Sequence, residues 1–164
     1  MIRITSKEYF KENPEALRHE DSVIKTLANI YTGTLKALEE EFGPRVVDIA
    51  RKGFLEAKLV ADKEAFAKMD DKSVLNYCHW LNSILHLTHE FEMVYDEEKD
   101  EAQYNITFCP WAKYFRGIGG EKYGRFFCDA DCPMVEAYDP HLGFEITQVL
   151  MDGDPCCNHR YFKK

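Results

Sequence analysis

From Asp21-Ser22 onward, Val23, Leu27, Ile30, Tyr31, Thr34, Leu35 and Leu38 recur at three- and four-residue steps, a spacing that lays one apolar stripe along a helix. Phe42-Gly43-Pro44 ends that stripe. Pro44 suits the first turn of a second helix, in which Val46, Val47, Ile49, Ala50, Phe54, Ala57 and Leu59 repeat the pattern, with a weaker extension through Phe66 and Met69. After the break Asp70-Asp71-Lys72-Ser73, a capping serine introduces Val74, Leu75, Tyr77, Cys78, Leu81, Ile84, Leu85 and Thr88, the apolar face of a third helix. Ahead of all three, Ser6 to Phe10 reads as one or two helical turns closed by Asn13-Pro14.

Near His89 the period shortens to two. Phe91, Met93 and Tyr95 alternate with Glu90, Glu92 and Val94, and the charged run Asp96 to Glu101 turns the chain into a β-branched and aromatic arm, Ala102 to Phe108. This predicts a β-hairpin that stops at Cys109-Pro110. Trp111 to Ile118 reads as a short helix entered through proline, Gly119-Gly120 breaks it, and a helical stretch from Glu121 leads into the turn-like Cys128 to Pro133 and one more short helix. Gly143 to Met151 is the next strand expected, Asp152-Gly153-Asp154-Pro155 a turn, and Cys156 to Phe162 the closing strand. The pattern predicts an α+β fold in one domain over 1–164. Residues 1–89 form the mainly helical layer, and 90–164 an antiparallel sheet of about four strands with short inserted helices and a cysteine-rich site.

Composition narrows the function. With 164 residues and 45% hydrophobic content the chain is long enough for one sizeable core. The net charge of −8 argues against nucleic acid, since phosphate binding draws on clustered Lys and Arg. No stretch approaches the roughly 18 apolar residues of a membrane span, and Met1 to Lys7 lacks the apolar run of a signal peptide. A cytoplasmic protein without a membrane partner is therefore expected. Its apolar helical faces leave room for a homodimer.

Five of the six cysteines follow residue 101. In a reducing compartment, with a core of this size, they are read as free thiols. Side chains alternate along a strand, so Asn105, Thr107 and Cys109 are expected on one face of theirs, and Cys157, His159 and Tyr161 on one face of the last. Where those faces coincide a thiol meets an imidazole, the minimal apparatus for covalent attack on an electrophilic carbon. The plain alternative is that these cysteines are small buried hydrophobes, the preferred reading for Cys78 and Cys156. A third reading makes Cys109, Cys128, Cys132 and Cys157 ligands of zinc or an iron–sulfur cluster, although only Cys128-x-x-x-Cys132 has a tight pair spacing. His86 and His89, with Glu90 and Glu92 following, have a spacing able to hold a divalent cation, and histidines at a helix end also sit favourably in its dipole. His141 is read as a loop residue.

The motifs Tyr104-Asn105-Ile106-Thr107-Phe108-Cys109-Pro110, Phe127-Cys128-x-x-Asp131 and Phe144-x-x-Thr147-x-x-Leu150-x-x-Gly153-Asp154-x-x-Cys157-x-x-Arg160-Tyr161 resemble the L-2-amino-thiazoline-4-carboxylic acid hydrolase family, best over residues 90–162. The closing segment is also similar to 4-vinyl reductase type small-molecule-binding domains. The first resemblance implies hydrolytic opening of a cyclic amidine, by attack at the carbon bonded to sulfur and two nitrogens. It makes Cys109 or Cys157 the nucleophile and His159 the proton shuttle. It leaves Asn105, Thr107, Cys128, Asp131 and Thr147 to bind substrate, with Asp154 a further acid that the turn alone can explain. No cofactor is called for. The second resemblance implies a non-enzymatic binding or sensing module for a small ligand.

Overall fold

The computed structural model describes residues 1–6 and 14–164, the side chains of 14–20 excepted. In chain order the elements are β1 (Ile2–Thr5), α1 (Pro14–Phe42), α2 (Arg45–Phe66), α3 (Val74–Leu85), β2 (Glu90–Asp96), β3 (Glu101–Phe108), α4 (Pro110–Gly117), α5 (Glu121–Asp129), α6 (Asp131–Tyr138), β4 (Leu142–Glu145), a 3-10 turn (Leu150–Asp152) and β5 (Arg160–Lys163). The sheet is antiparallel and five-stranded, in the order β1-β2-β3-β5-β4. Apart from Ser6, the helical turn expected at Ser6–Phe10 lies outside the described residues.

Local chemistry explains most boundaries. Gly43 takes φ +79 and closes α1, a left-handed conformation that glycine adopts without steric cost. Ser73 caps α3 as expected, its Oγ accepting the Asn76 N–H at 3.2 Å. The hairpin forms as predicted, Glu92 opposite Asn105 and Tyr95 opposite Ala102.

Three expectations are corrected. The first is the sheet's size: Ile2-Arg3-Ile4-Thr5 alternates and pairs with β2, giving a fifth strand within residues expected to belong to the helical layer. Ser6 then anchors it, donating to the His89 carbonyl at 2.7 Å and accepting the Phe91 N–H at 3.0 Å. The second is the stripe on α1. Its buried residues among those described are Ile24, Ala28, Thr32 and Leu35, while Val23, Leu27 and Ile30 are exposed, so the buried face lies one step round the helix. The third concerns the two late strands, which shorten to Leu142–Glu145 and Arg160–Lys163. Between them the chain is held by irregular contacts, Asn158 Oδ1 accepting the amides of Thr147 and Gln148 and Asp154 Oδ2 that of Val149.

The helices cover one face of the sheet. Tyr104, Tyr161, Phe91 and Ile106 point into that layer and meet Tyr77, Phe66 and Phe115 from the helices, while Gln103, Asn105 and Thr107 stay outside. Tyr104 satisfies its hydroxyl by donating to Asn82 Oδ1 at 2.7 Å. Tyr77 does not: its Oη is buried without a partner among the described residues. An unpaired buried hydroxyl costs about 1–3 kcal/mol. Tyr77→Phe is therefore expected to raise the urea midpoint by the equivalent of about 1 kcal/mol. A lower midpoint would show that the hydroxyl is paired.

Candidate active site

Between α3, α5, α6 and the inner face of the sheet lies a cavity of about 170 Å³. This is below the roughly 300–1,000 Å³ of drug-sized sites, so its occupant is small. Trp80, Trp111, Phe127, Tyr161 and Ile106 are among the residues of its wall. Into this apolar space come Cys109, Cys128, Cys157, Asp131, His89 and His159, with Lys58 among the lining residues. Two wider openings differ in character. A groove of about 330 Å³ at Arg51, Leu55 and Pro133 has no nucleophilic thiol in its lining, and one of about 230 Å³ beside Lys113 and Arg116 reaches Cys109 without the acid or the histidines.

The sequence delivers each group by a local device. Cys157 and Ile106 exchange both backbone hydrogen bonds at 2.9 Å, and the Tyr104 N–H donates to the His159 carbonyl at 2.8 Å. The segment before β5 therefore keeps strand geometry, and Cys157, His159 and Tyr161 share the inner face as the alternation predicts. Cys109 arrives differently. The chain leaves β3 at Phe108, Pro110 opens α4, and Cys109 stands at its N-cap with φ −131 and ψ 119. Cys128 lies in the last turn of α5 and Asp131 begins α6, so one tight junction supplies both.

Burial sets the protonation states. It pushes the Cys109 thiol up to about 12, the neighbouring Ala112 and Trp111 amides offsetting only part of the effect, and no side-chain capping hydrogen bond is made there. It raises Cys157 to about 11, against a lowering contribution from the Leu150 N–H, which reaches Cys157 Sγ at 3.2 Å. Cys128 is raised as well, by burial and then by Asp131. All three are thiols at neutral pH. Desolvation also lifts the Asp131 carboxyl to about 7, against opposing Lys58 and Arg125 charges, and lowers His159 to about 4. Asp131 Oδ2 and His159 Nε2 stand 3.9 Å apart. Between about pH 4 and 7 both are largely neutral, and the contact is not an ion pair.

These two groups are also unusually unengaged. His159 Nδ1 shares a hydrogen bond with Tyr161 Oη at 3.0 Å, but neither its Nε2 nor the Asp131 carboxyl has a hydrogen bond to the described residues. Among those residues the sealed, unpaired polar side-chain atoms are Thr32 Oγ1 and Tyr77 Oη alone. The Asp131 and His159 atoms are thus open to solvent-sized space, and the cavity provides it.

The structure does not bring every expected residue here. Asn105 and Thr107 are exposed on the outer face of β3 and do not share a face with Cys109. Strand alternation ends one residue before Cys109, at the turn into α4. Thr147 is intermediate in exposure, and its hydroxyl accepts from Asn158 Nδ2 at 2.7 Å, so it shapes the loop and does not line the cavity. Asp154 is used by the turn, accepting the Val149 N–H. Cys132 is exposed and lies outside the cavity. No group of three or more His, Cys, Asp or Glu among the described residues is placed to hold a metal ion; of the four thiols Cys109, Cys128 and Cys157 line the cavity and Cys132 lies outside it. Of His86, His89, Glu90 and Glu92, His86 faces the Asn82 carbonyl at 2.8 Å, Glu90 is exposed, and His89 turns into the cavity.

Lys58, Trp80 and His89 join the site without a matching signal in the motifs. Lys58 and Trp80 lie on helices whose polar and aromatic positions have the pattern of ordinary surface and core, and only the tertiary packing aims them inward. His89 has the spacing of a helix-end residue. Its signal is its place two positions before Phe91, where a bend leads into an inward-facing strand.

The chain matches the family model for L-2-amino-thiazoline-4-carboxylic acid hydrolase over residues 24–161. No curated protein and no solved structure matches it. No helix among the described residues is long and apolar enough to cross a membrane.

Proposed function

The chain belongs to the L-2-amino-thiazoline-4-carboxylic acid hydrolase family, and from that premise we propose that it hydrolyses a C–N or C–S bond of a small heterocycle or amide in the cavity, with Cys157 as nucleophile. The observation that carries this reading is the meeting of Cys157, Asp131 and His159 in a small apolar space, the last two with unengaged atoms. Cys157 is chosen over Cys109 because it shares a strand face with His159. The Leu150 N–H at 3.2 Å would stabilise its thiolate, as the Trp111 and Ala112 amides would that of Cys109, so backbone donors do not separate the two.

The thiol needs a base, because burial holds it protonated. Asp131, titrating near neutral pH, suits that role, since a base works best when its pKa lies near the working pH. In the first step the Cys157 S–H proton passes to the Asp131 carboxylate, sulfur bonds to the electrophilic carbon, and the electron pair moves onto a ring heteroatom. That heteroatom leaves with the proton now on Asp131, helped by His159. Water then attacks the same carbon, gives one proton to Asp131, and displaces the Cys157 sulfur, which takes that proton back. One water is consumed and one carbon–heteroatom bond is opened.

Purified protein incubated with L-2-amino-thiazoline-4-carboxylate is expected to give a product heavier by one water, followed by mass spectrometry, with a free thiol if the C–S bond opens. Binding of that compound without product would remove the hydrolytic reading and favour a binding module.

A further inference from the structure

His89 lines the same cavity from a different strand and has no place in the mechanism above. The sheet order sets β3 between the segment that carries His89 into β2 and the segment that carries His159 into β5. Phe91 and Cys157 stand opposite Ile106 on its two sides, and His89 and His159, each two residues from one of them, reach the cavity from opposite sides of β3. His89 is 8% exposed. Its Nδ1 is engaged by the Thr88 hydroxyl at 2.7 Å, while its Nε2 has no partner among the described residues and is not one of the sealed, unpaired atoms. Like Asp131 and His159, this nitrogen opens onto cavity space.

A neutral imidazole carries one N–H, and the bond made by the first ring nitrogen decides which nitrogen holds it. Burial keeps His89 neutral, with the neighbouring His159 adding to the effect. Thr88 Oγ1 can donate to Nδ1 or accept from it; in the tautomer in which it donates, the ring proton stands on Nε2 and faces the cavity. Asp131 is an acceptor once ionised. An N–H on His89 Nε2 would be a donor into the cavity from the β2 side, separate from Lys58 and His159 in the same lining.

We propose that His89 is a substrate-contacting residue whose Nε2–H donates to the heteroatom of the ligand that gains electron density as the bond opens. This assignment rests on the hydrolytic reading for its catalytic consequence, and on the cavity geometry and the Nε2–H tautomer for the contact. A donor placed where charge develops lowers the barrier more than it tightens ground-state binding.

Protein labelled with ¹⁵N at histidine, titrated with L-2-amino-thiazoline-4-carboxylate, tests the contact without requiring turnover. The His89 Nε2 resonance is expected to be that of a protonated nitrogen and to move on binding. Kinetics test the consequence: His89→Phe is expected to lose about 10–100-fold in kcat with a smaller change in KM, and His89→Gln, which keeps an N–H donor, to recover most of it. If the compound moves the His159 resonance and leaves His89 unmoved, or if H89F turns over at the wild-type rate, the assignment to His89 is overturned and the hydrolytic reading stands. If the His89 resonance moves and no product forms, the contact stands and hydrolysis falls. Should H89F fail to fold, the labelled wild-type protein still decides.

Discussion

Replacing Asp131 with Asn is expected to abolish turnover while making the protein harder to unfold above pH 7. The amide keeps the shape of the carboxyl and loses its basicity, so kcat should fall by about 10²–10⁴-fold, the usual contribution of a positioned base. In the wild type, kcat/KM should climb toward a plateau above pH about 7 as Asp131 ionises. The stability effect has the opposite sign. The folded-state pKa is raised well above the ordinary carboxylate range of about 4. The protonated carboxyl's contribution is therefore full below pH about 4 and is lost as pH rises through about 7. At pH 8 the wild type carries a desolvated charge that D131N does not, and the variant should gain about 2–4 kcal/mol there and nothing at pH 4.

The cavity histidines give this comparison an internal control. His159 is lowered to about 4 and His89 to about 3, both chiefly by burial. The unfolded chain protonates near 6.5, so their contribution is present above that pH and is lost as pH falls through it toward 4. In the wild type this loss opposes the gain from Asp131 over the same window. D131N keeps only the histidine component, and its stability should fall steadily from pH 7 to 4 in urea titrations. Parallel curves for the two proteins would show that Asp131 is an ordinary, solvated carboxylate.

The residues that meet in the cavity are legible in the sequence to different degrees, and the reason is the range of the signal each depends on. Cys157 and His159 follow from a period of two over three residues, and the backbone bonds at Ile106 and Tyr104 preserve that period even where the strand proper has not begun. Cys109 reaches the site by a route that alternation does not describe. Its side chain enters the cavity because Pro110 forces a turn that breaks the alternation, whereas Asn105 and Thr107 face solvent because the alternation of β3 holds up to that turn. The helical periods of α2 and α3 are clear, but α1 carries apolar residues around more than one face. Tertiary packing chooses Ile24, Ala28 and Leu35 over Val23, Leu27 and Ile30. β1 is legible in principle, as Ile2-Arg3-Ile4-Thr5 alternates, yet four residues give a weak signal until a partner strand is known. Lys58 and Trp80 are not legible at all, since direction into a cavity is a property of how helices pack on the sheet.

Cys157→Ser is the second change expected to have a large effect, and it separates the two thiols that sequence leaves equivalent. Serine keeps an acceptor for the Leu150 N–H, whereas alanine would leave that amide unpaired at a cost of about 1–3 kcal/mol. Serine is therefore the cleaner test of chemistry. A hydroxyl is far less acidic than a thiol, and Asp131 is too weak a base to ionise it. The variant should lose at least about 10³-fold in kcat with its melting temperature little changed. Cys109→Ser should stay within about tenfold of wild type, because that sulfur lines the cavity beside Cys157 without sharing a strand face with His159. In the free enzyme neither thiol should react quickly with iodoacetamide at pH 7, since burial holds both protonated. Rapid alkylation of one cysteine would locate a standing thiolate that these burial energetics do not allow. If C109S is inactive and C157S is not, the nucleophile is the residue at the N-cap of α4, and Cys157 only shapes the wall.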